Sequence, residues 1–325
     1  MQIVLVGIGA GAASALLFAS VESGALLAAL LFYLAPLPLL IAALGWNHWT
    51  GLFAGIVGAT SLGAVLGFHF FAVFFIGIAL PAWWLAYLSL LARPVATNGS
   101  TGLEWYPVGR LVLWAALLSA LLVILAVPNF GTDKESFEAG LRTAFEQALG
   151  TGAQVDPSNS GLGPDGERLV GMLVSVIPPA AAALATLISI VNLWLAARIT
   201  MISGRLLRPW PQLSALSLPK FAPALAGTAI AGSFLHDLAG IVSGIVAASL
   251  LTAFAILGFA VLHAITRGIA NRGLALAGTY AAVVVLGWPV LAVSLRRRIQ
   301  HSRPILTAKR AAGHASLTPG RMKWM

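Results

Sequence analysis

Apolar residues run along this chain in blocks of about twenty, separated by short clusters of polar residues, glycine or proline. Five blocks fill the first part, at Ile3–Ser20, Gly24–Leu44, Thr50–Leu66, Phe68–Leu91 and Val108–Val127. Each approaches the roughly 20 residues an α-helix needs to cross a bilayer's hydrocarbon core. The only long polar stretch, Pro128–Arg168, comes next. It is followed by Leu169–Ile199, long enough to cross with tilt and predicted to bend at Pro178 and Pro179. Beyond a polar loop at Gly204–Lys220 lie three less regular runs, Phe221–Leu238, Ala239–Thr266 and Gly273–Leu295. The pattern predicts an all-α fold, a polytopic transmembrane bundle of eight or nine membrane helices. Residues 1–295 form one transmembrane domain with 128–168 inserted as an extracytoplasmic segment, and 296–325 form a disordered basic cytoplasmic tail.

Composition agrees with that solvent. Hydrophobic residues make up 59% of the 325 and charged ones 9%, against about a quarter charged in an average soluble domain, and the mean hydropathy is +0.93. The net charge of +9 does not point to nucleic acid. Its bases lie in loops and the tail, without the interleaved aromatics of a base-stacking platform. The absence of cysteine removes disulfides, thiolate metal sites and cysteine nucleophiles. The stretch 128–168 holds seven acids and three bases, whereas Arg198, Arg205, Arg208 and Lys220 follow with no acid among them. By the positive-inside rule the basic loop is cytoplasmic and the acidic stretch external, which puts the N-terminus inside. Arg267, Arg272 and the Arg296–Arg298 cluster then conflict in parity unless one of the last three runs is re-entrant or one basic connection lies outside. Met1–Ser20 lacks a basic leader and reads as a retained helix.

Thr132–Gly150 reads as an amphipathic helix: Phe137, Leu141, Phe145 and Leu149 recur every four residues, opposite Lys134, Glu138, Arg142 and Glu146. Thr132 with Glu135 forms a capping box, Glu138 with Arg142 an i,i+4 pair, and Gly150 a stop. Such a helix is a lid or docking element, or it lies on headgroups or on its own bundle. Glycines four apart, as in Gly7/Gly11, Gly51/Gly55, Gly63/Gly67 and Gly240/Gly244, predict close helix packing. The tryptophans gather near block ends, as an interfacial belt would place them.

Catalytic signals are absent. Gly7, Gly9 and Gly11 imitate a dinucleotide fingerprint, but a membrane span follows where an acid-bearing strand is required. No P-loop sequence occurs, so an ATP-driven cycle needs a partner, and the six histidines are scattered. Ser233, His236 and Asp237 lie too close in sequence for a triad geometry to be assigned. No enzyme, metal or cofactor is expected. Ionisable groups in or near membrane segments are the functional candidates, because burying them costs on the order of 2–3 kcal/mol or more. His236 and Asp237 interrupt an apolar run where a cavity would be lined, and His263 lies near a cytoplasmic end. Glu104-Trp105-Tyr106-Pro107-Val108-Gly109-Arg110 reads as an interface entry, with Pro107 opening a helix, Arg110 snorkelling and Glu104 placed to pair with it.

That segment, with Pro36-Leu37-Pro38-Leu39 ahead of Gly51–Gly55, Pro81-Ala82-Trp83-Trp84 and Leu257–Arg267, resembles the YybS-like bacterial membrane proteins, a family of unknown function. The resemblance covers most of 1–295. It implies a distant likeness to the substrate-binding S-components of energy-coupling-factor transporters, hence a small-molecule-binding subunit that relies on a separate ATPase or coupling subunit. The alternative expectation is a non-transporting membrane scaffold or assembly factor. In either case the bilayer is the principal partner and the substrate is unspecified.

Overall fold

The computed structural model describes residues 1–23, 26–97, 100–148, 164–211, 217–266 and 271–286. Among them the chain is an all-α bundle with seven helices long and apolar enough to cross a membrane. These are Gln2–Ala19 (α1), Leu27–Gly45, His48–Leu66 (α4), Phe68–Leu90, Val108–Asn129, Ser175–Ile202 and Asp237–Ile265 (α11). The protein is therefore membrane-embedded. The chain divides into two compact units, Met1–Pro211 with Leu216–Ala253, and Gln212–Ala215 with Phe254–Met325.

In the first unit α1 runs parallel to α4, with Gly7 against Phe53 and Gly11 against Ala54 and Gly58. A Cβ on Gly11 would collide with the Ala54 carbonyl oxygen, and one on Gly58 would come within 2.9 Å of the Gly11 carbonyl oxygen. Hydrocarbon gives helices no hydrophobic reason to associate, so this backbone-to-backbone approach supplies the van der Waals contact instead. Around it Phe18, Leu39, Leu44, Ala54, Phe74 and Ala86 form the core.

The second span consists of α2 (Leu26–Tyr33) and α3 (Pro36–Gly45), broken at Leu34–Ala35. Pro36 and Pro38 have no N–H to donate, and Leu37 N–H bonds Leu34 O at 2.9 Å rather than Tyr33 O. Asn192 Nδ2 donates to Tyr33 O at 2.8 Å and Ser14 Oγ donates to Ala35 O at 2.5 Å. Neighbouring side chains thus satisfy the carbonyls freed at mid-span, as hydrocarbon demands. The fourth span changes from α5 (Phe68–Phe74) to α6 (Leu80–Leu90) through a π-helical turn at Phe75–Ala79.

A hairpin of β1 (Ala92–Thr97) and β2 (Ser100–Trp105) joins α6 to α7 (Val108–Ala126). Pro94 and Gly102 dilute any strand signal in the sequence, and Pro is tolerated because a two-stranded ribbon is all edge. The amphipathic helix is α8, Lys134–Ala148. Its cap lies one residue later than predicted: Ser136 N–H donates to Asp133 Oδ1 at 2.9 Å and Asp133 N–H to Ser136 Oγ at 3.3 Å. Lys134 and Glu138 form an i,i+4 pair at 3.9 Å. Phe137 and Leu141 are buried against Ala120, Val127, Ala182 and Ile245, so α8 lies on its own bundle. Gly150 and the side chains of Phe145 and Leu149 fall outside the described residues.

Helix α9 (Pro164–Ile202) continues through Pro178 and Pro179. Of the three irregular runs, the first holds the eleven-residue α10 (Ala222–Gly232), about 16 Å long and too short to cross alone. The second is the 29-residue α11, and the third is α12 (Arg272–Leu286). Arg267, the remainder of the last run and the tail at 296–325 lie outside the described residues. In the second unit Tyr280 of α12 stacks on Phe259 at 5.1 Å.

Candidate functional site

The predicted site residues of the first unit, Glu104 and Arg110 on one side and His236 and Asp237 on the other, do not converge. Glu104, on β2 opposite Arg93, accepts from Arg93 Nε at 2.8 Å and lies 2.7 Å from its Nη2, so its partner is Arg93 and not Arg110. Arg110, in the first turn of α7, places its guanidinium 5.9 Å from the centre of the Tyr106 ring. The Tyr106 hydroxyl accepts from Trp114 Nε1 at 3.2 Å. His236 and Asp237 are exposed in the turn between α10 and α11 and line no interior surface. Asp237 adopts φ 71°. An acid at a helix N-terminus is favoured by the helix dipole, which accounts for Asp237 without a ligand. His263, in the last turns of α11, has Nδ1 3.0 Å from Phe259 O and its ring 6.2 Å from Tyr280.

Buried polar side chains among the described residues are all neutral: Ser, Thr and Asn only. The charged groups of the first unit sit at the ends. The acid-rich end carries Asp133, Glu135 and Glu138 on and beside α8. Asp133 is held below its ordinary carboxyl value by hydrogen bonds from Ser136.

The other end is built by the chain leaving α9. Gly204, at φ +67°, closes the helix with Gly204 N–H on Met201 O and Arg205 N–H on Thr200 O, at 3.0 and 2.9 Å. This is a Schellman termination, which turns the chain back under the bundle. Leu206 then packs into the main core, and Thr200 Cγ2 comes close to Gly45. The turn lays Arg205 on Trp46, the residue that ends α3, at 4.3 Å from the ring centre. Arg198 lies 5.6 Å from the Trp210 ring, and Arg208 Nη1 donates to Ser89 O at 3.2 Å at the end of α6. Burial depresses the Arg208 guanidinium below its ordinary range, as expected of a cation drawn from water with no counter-charge, yet it stays protonated at neutral pH.

None of Arg110, Arg198, Arg205 or Arg208 has an acidic partner among the described residues. Sequence reading identified these bases as a topological signal but not as a constellation. Trp46 and Ser89 are remote in sequence, and the local signal available is Gly204 itself, a glycine just past an apolar helix, which favours a stop there. No family model matches the chain, and neither a curated protein nor a solved structure is similar to it.

Proposed function

We propose that the protein is a non-transporting, non-enzymatic scaffold or assembly factor of a bacterial inner membrane, with its N-terminus and basic end in the cytoplasm. The observation that carries this reading is the neutrality of the interior. Every buried polar side chain described is Ser, Thr or Asn, and of the ionisable candidates, Glu104, Arg110, His236 and Asp237 are exposed while His263 is half-buried in the last turns of α11. Proton- and ion-coupled transport uses ionisable groups inside the membrane, whereas a scaffold needs only a packed bundle with decorated ends.

A second reading, a small-molecule-binding subunit that depends on a partner ATPase, draws on one feature and on the family resemblance. Asn192 is buried at the broken second span, and its Oδ1 has no hydrogen-bond partner. Discontinuous helices near mid-membrane are where transporters build binding sites. Gentle extraction followed by native mass spectrometry separates the two. The scaffold reading expects a stable membrane complex with no bound metabolite, lost when residues after Arg298 are removed. A bound small molecule that disappears in Asn192→Leu, together with a co-purifying ATPase, refutes it.

A further inference from the structure

The basic end poses an electrostatic problem. Arg93, Arg110, Arg198, Arg205, Arg208 and Lys220 gather there, and the only acid nearby among the described residues, Glu104, is engaged by Arg93. Arg205 is exposed at the surface, and Arg208 is drawn partly out of water. One is flattened on Trp46, and the other is half-buried with a single backbone acceptor at Ser89. A guanidinium has five N–H donors in a planar fork, so each retains donors that no group among the described residues fills. Trp46, at the end of α3, lies against Arg205, and Trp210 lies against Arg198 near the end of α9, the kind of helix-end position at which tryptophans meet lipid headgroups. Planar cations of this kind, one stacked on an indole and one half-buried, both without an acidic partner among the described residues, match a phosphoryl group in geometry and charge.

We propose that Arg205 and Arg208, on the chain that leaves α9, form a binding site for a phosphoryl group at the membrane surface, the phosphodiester of an anionic phospholipid. The lipid supplies the missing counter-charge, the stacked Arg205 offers its outward edge, and Trp46 and Trp210 rest against the glycerol region. A free phosphate has the same oxyanion but not the acyl chains, so the two sources separate experimentally. The site does not depend on the scaffold reading, because it requires only the loop geometry.

The test uses the full-length protein in mild detergent. Phosphatidylglycerol, phosphatidylcholine or inorganic phosphate is added, and retained lipid is read by native mass spectrometry alongside thermal stability. Phosphatidylglycerol is expected to be retained selectively over phosphatidylcholine and to raise the unfolding temperature, with 10 mM inorganic phosphate failing to displace it. In the double variant Arg205→Gln/Arg208→Gln retention falls about 30-fold, from roughly fivefold per arginine near an anionic surface. Arg205→Lys, which keeps the charge but loses the planar stack, falls by only a fewfold and guards against misfolding of the double variant. Arg93→Gln, on the already paired hairpin, leaves retention unchanged. Stabilisation by inorganic phosphate alone, dependent on the same arginines, assigns the site to a soluble phosphoryl ligand and overturns the lipid assignment. Equal retention of both lipids, or retention unaffected by Arg205 and Arg208, overturns the proposal altogether.

Discussion

Alanine substitution at Gly11 and at Gly9, two residues apart on one helix, should change stability in opposite directions. A Cβ at Gly11 meets the Ala54 carbonyl oxygen, Val57 Cβ at 3.0 Å and Gly58 N at 3.1 Å, whereas at Gly9 nothing lies within 4 Å. Two of the three obstacles are backbone atoms of α4, which no rotamer change can move, so α1 and α4 must separate along their crossing. Overpacking of this kind costs about 1–3 kcal/mol. Replacing Gly by Ala within a helix returns up to about 1 kcal/mol. With backbone atoms in the way the cost falls in the upper part of that range, about 2–3 kcal/mol, so Gly11→Ala should lose about 1–2 kcal/mol net, and Gly9→Ala should gain about 0.5–1 kcal/mol. Gly58→Ala, which meets the Gly11 carbonyl from the other side, should behave like Gly11→Ala. The double variant should cost less than the sum, because the helices need separate only once. Equilibrium unfolding in mild detergent, followed by the fluorescence of the ten tryptophans, measures all four. If Gly11→Ala proved as stable as the wild type, or if Gly9→Ala lost as much as Gly11→Ala, close backbone contact would not be what joins these helices.

Asn192→Ala removes the donor that satisfies Tyr33 O and should destabilise by about 1–3 kcal/mol, read in the same unfolding assay. Gly204→Ala meets no atom within 4 Å but must hold φ +67°, so its cost of about 1 kcal/mol is purely conformational, and lipid retention at Arg205 should weaken with it. Asp133 has a carboxyl value depressed by Ser136. Its cap therefore stabilises α8 fully above the unfolded value and loses that contribution as pH falls through the lower folded one, a loss of helicity that circular dichroism should show in the wild type and not in Asp133→Asn. Because the chain has no cysteine, Ser203→Cys and His236→Cys can be labelled singly with an impermeant maleimide. They should react from opposite faces of sealed vesicles, and reaction from one face would refute the placement of the two ends.

Hydropathy made the first six spans legible because a bilayer imposes one length and one composition on whatever crosses it. The four-residue period of α8 was legible for a related reason, since one face had to be buried; Phe137 and Leu141 are the residues that bury it. Elements stabilised by partners remote in sequence were not legible. Nothing local says that Glu104 will face Arg93 across a hairpin, that Asn192 will cap Tyr33 O, or that Arg205 will lie on Trp46. The capping box moved by one residue because Asp133 and Ser136 form a reciprocal pair as competent as the expected Thr132 and Glu135. Short helices also escape a length criterion, and α10 is such a case.

The passage through α10 explains why His236 and Asp237 are exposed although they interrupt an apolar run. Ser217 presents its carbonyl to Gly109 at the start of α7, and Leu238 packs near Val127 and Phe137 beyond the other end of that helix. The chain between them must therefore cover about the 28 Å rise of α7's nineteen residues. The eleven residues of α10 supply about 16 Å of it. The rest falls to the non-helical residues on either side, which hydrocarbon tolerates only where their backbone groups are satisfied. That condition is met after α10: the N–H groups of Ser233, Phe234 and Leu235 bond back to Ala229, Ala231 and Gly232. Gly240 lets the Leu235 carbonyl approach where a Cβ would collide, and Asp237 takes up the left-handed turn that starts α11. The polar pair thus marks the end of a crossing and not a cavity within one. It leaves Asp237 at the end that carries Asp133, Glu135 and Glu138, opposite the unpaired arginines. A Lys/Arg bias toward one end is what orients a membrane protein, and here it is achieved with no fully buried ionisable side chain among the described residues of the first unit.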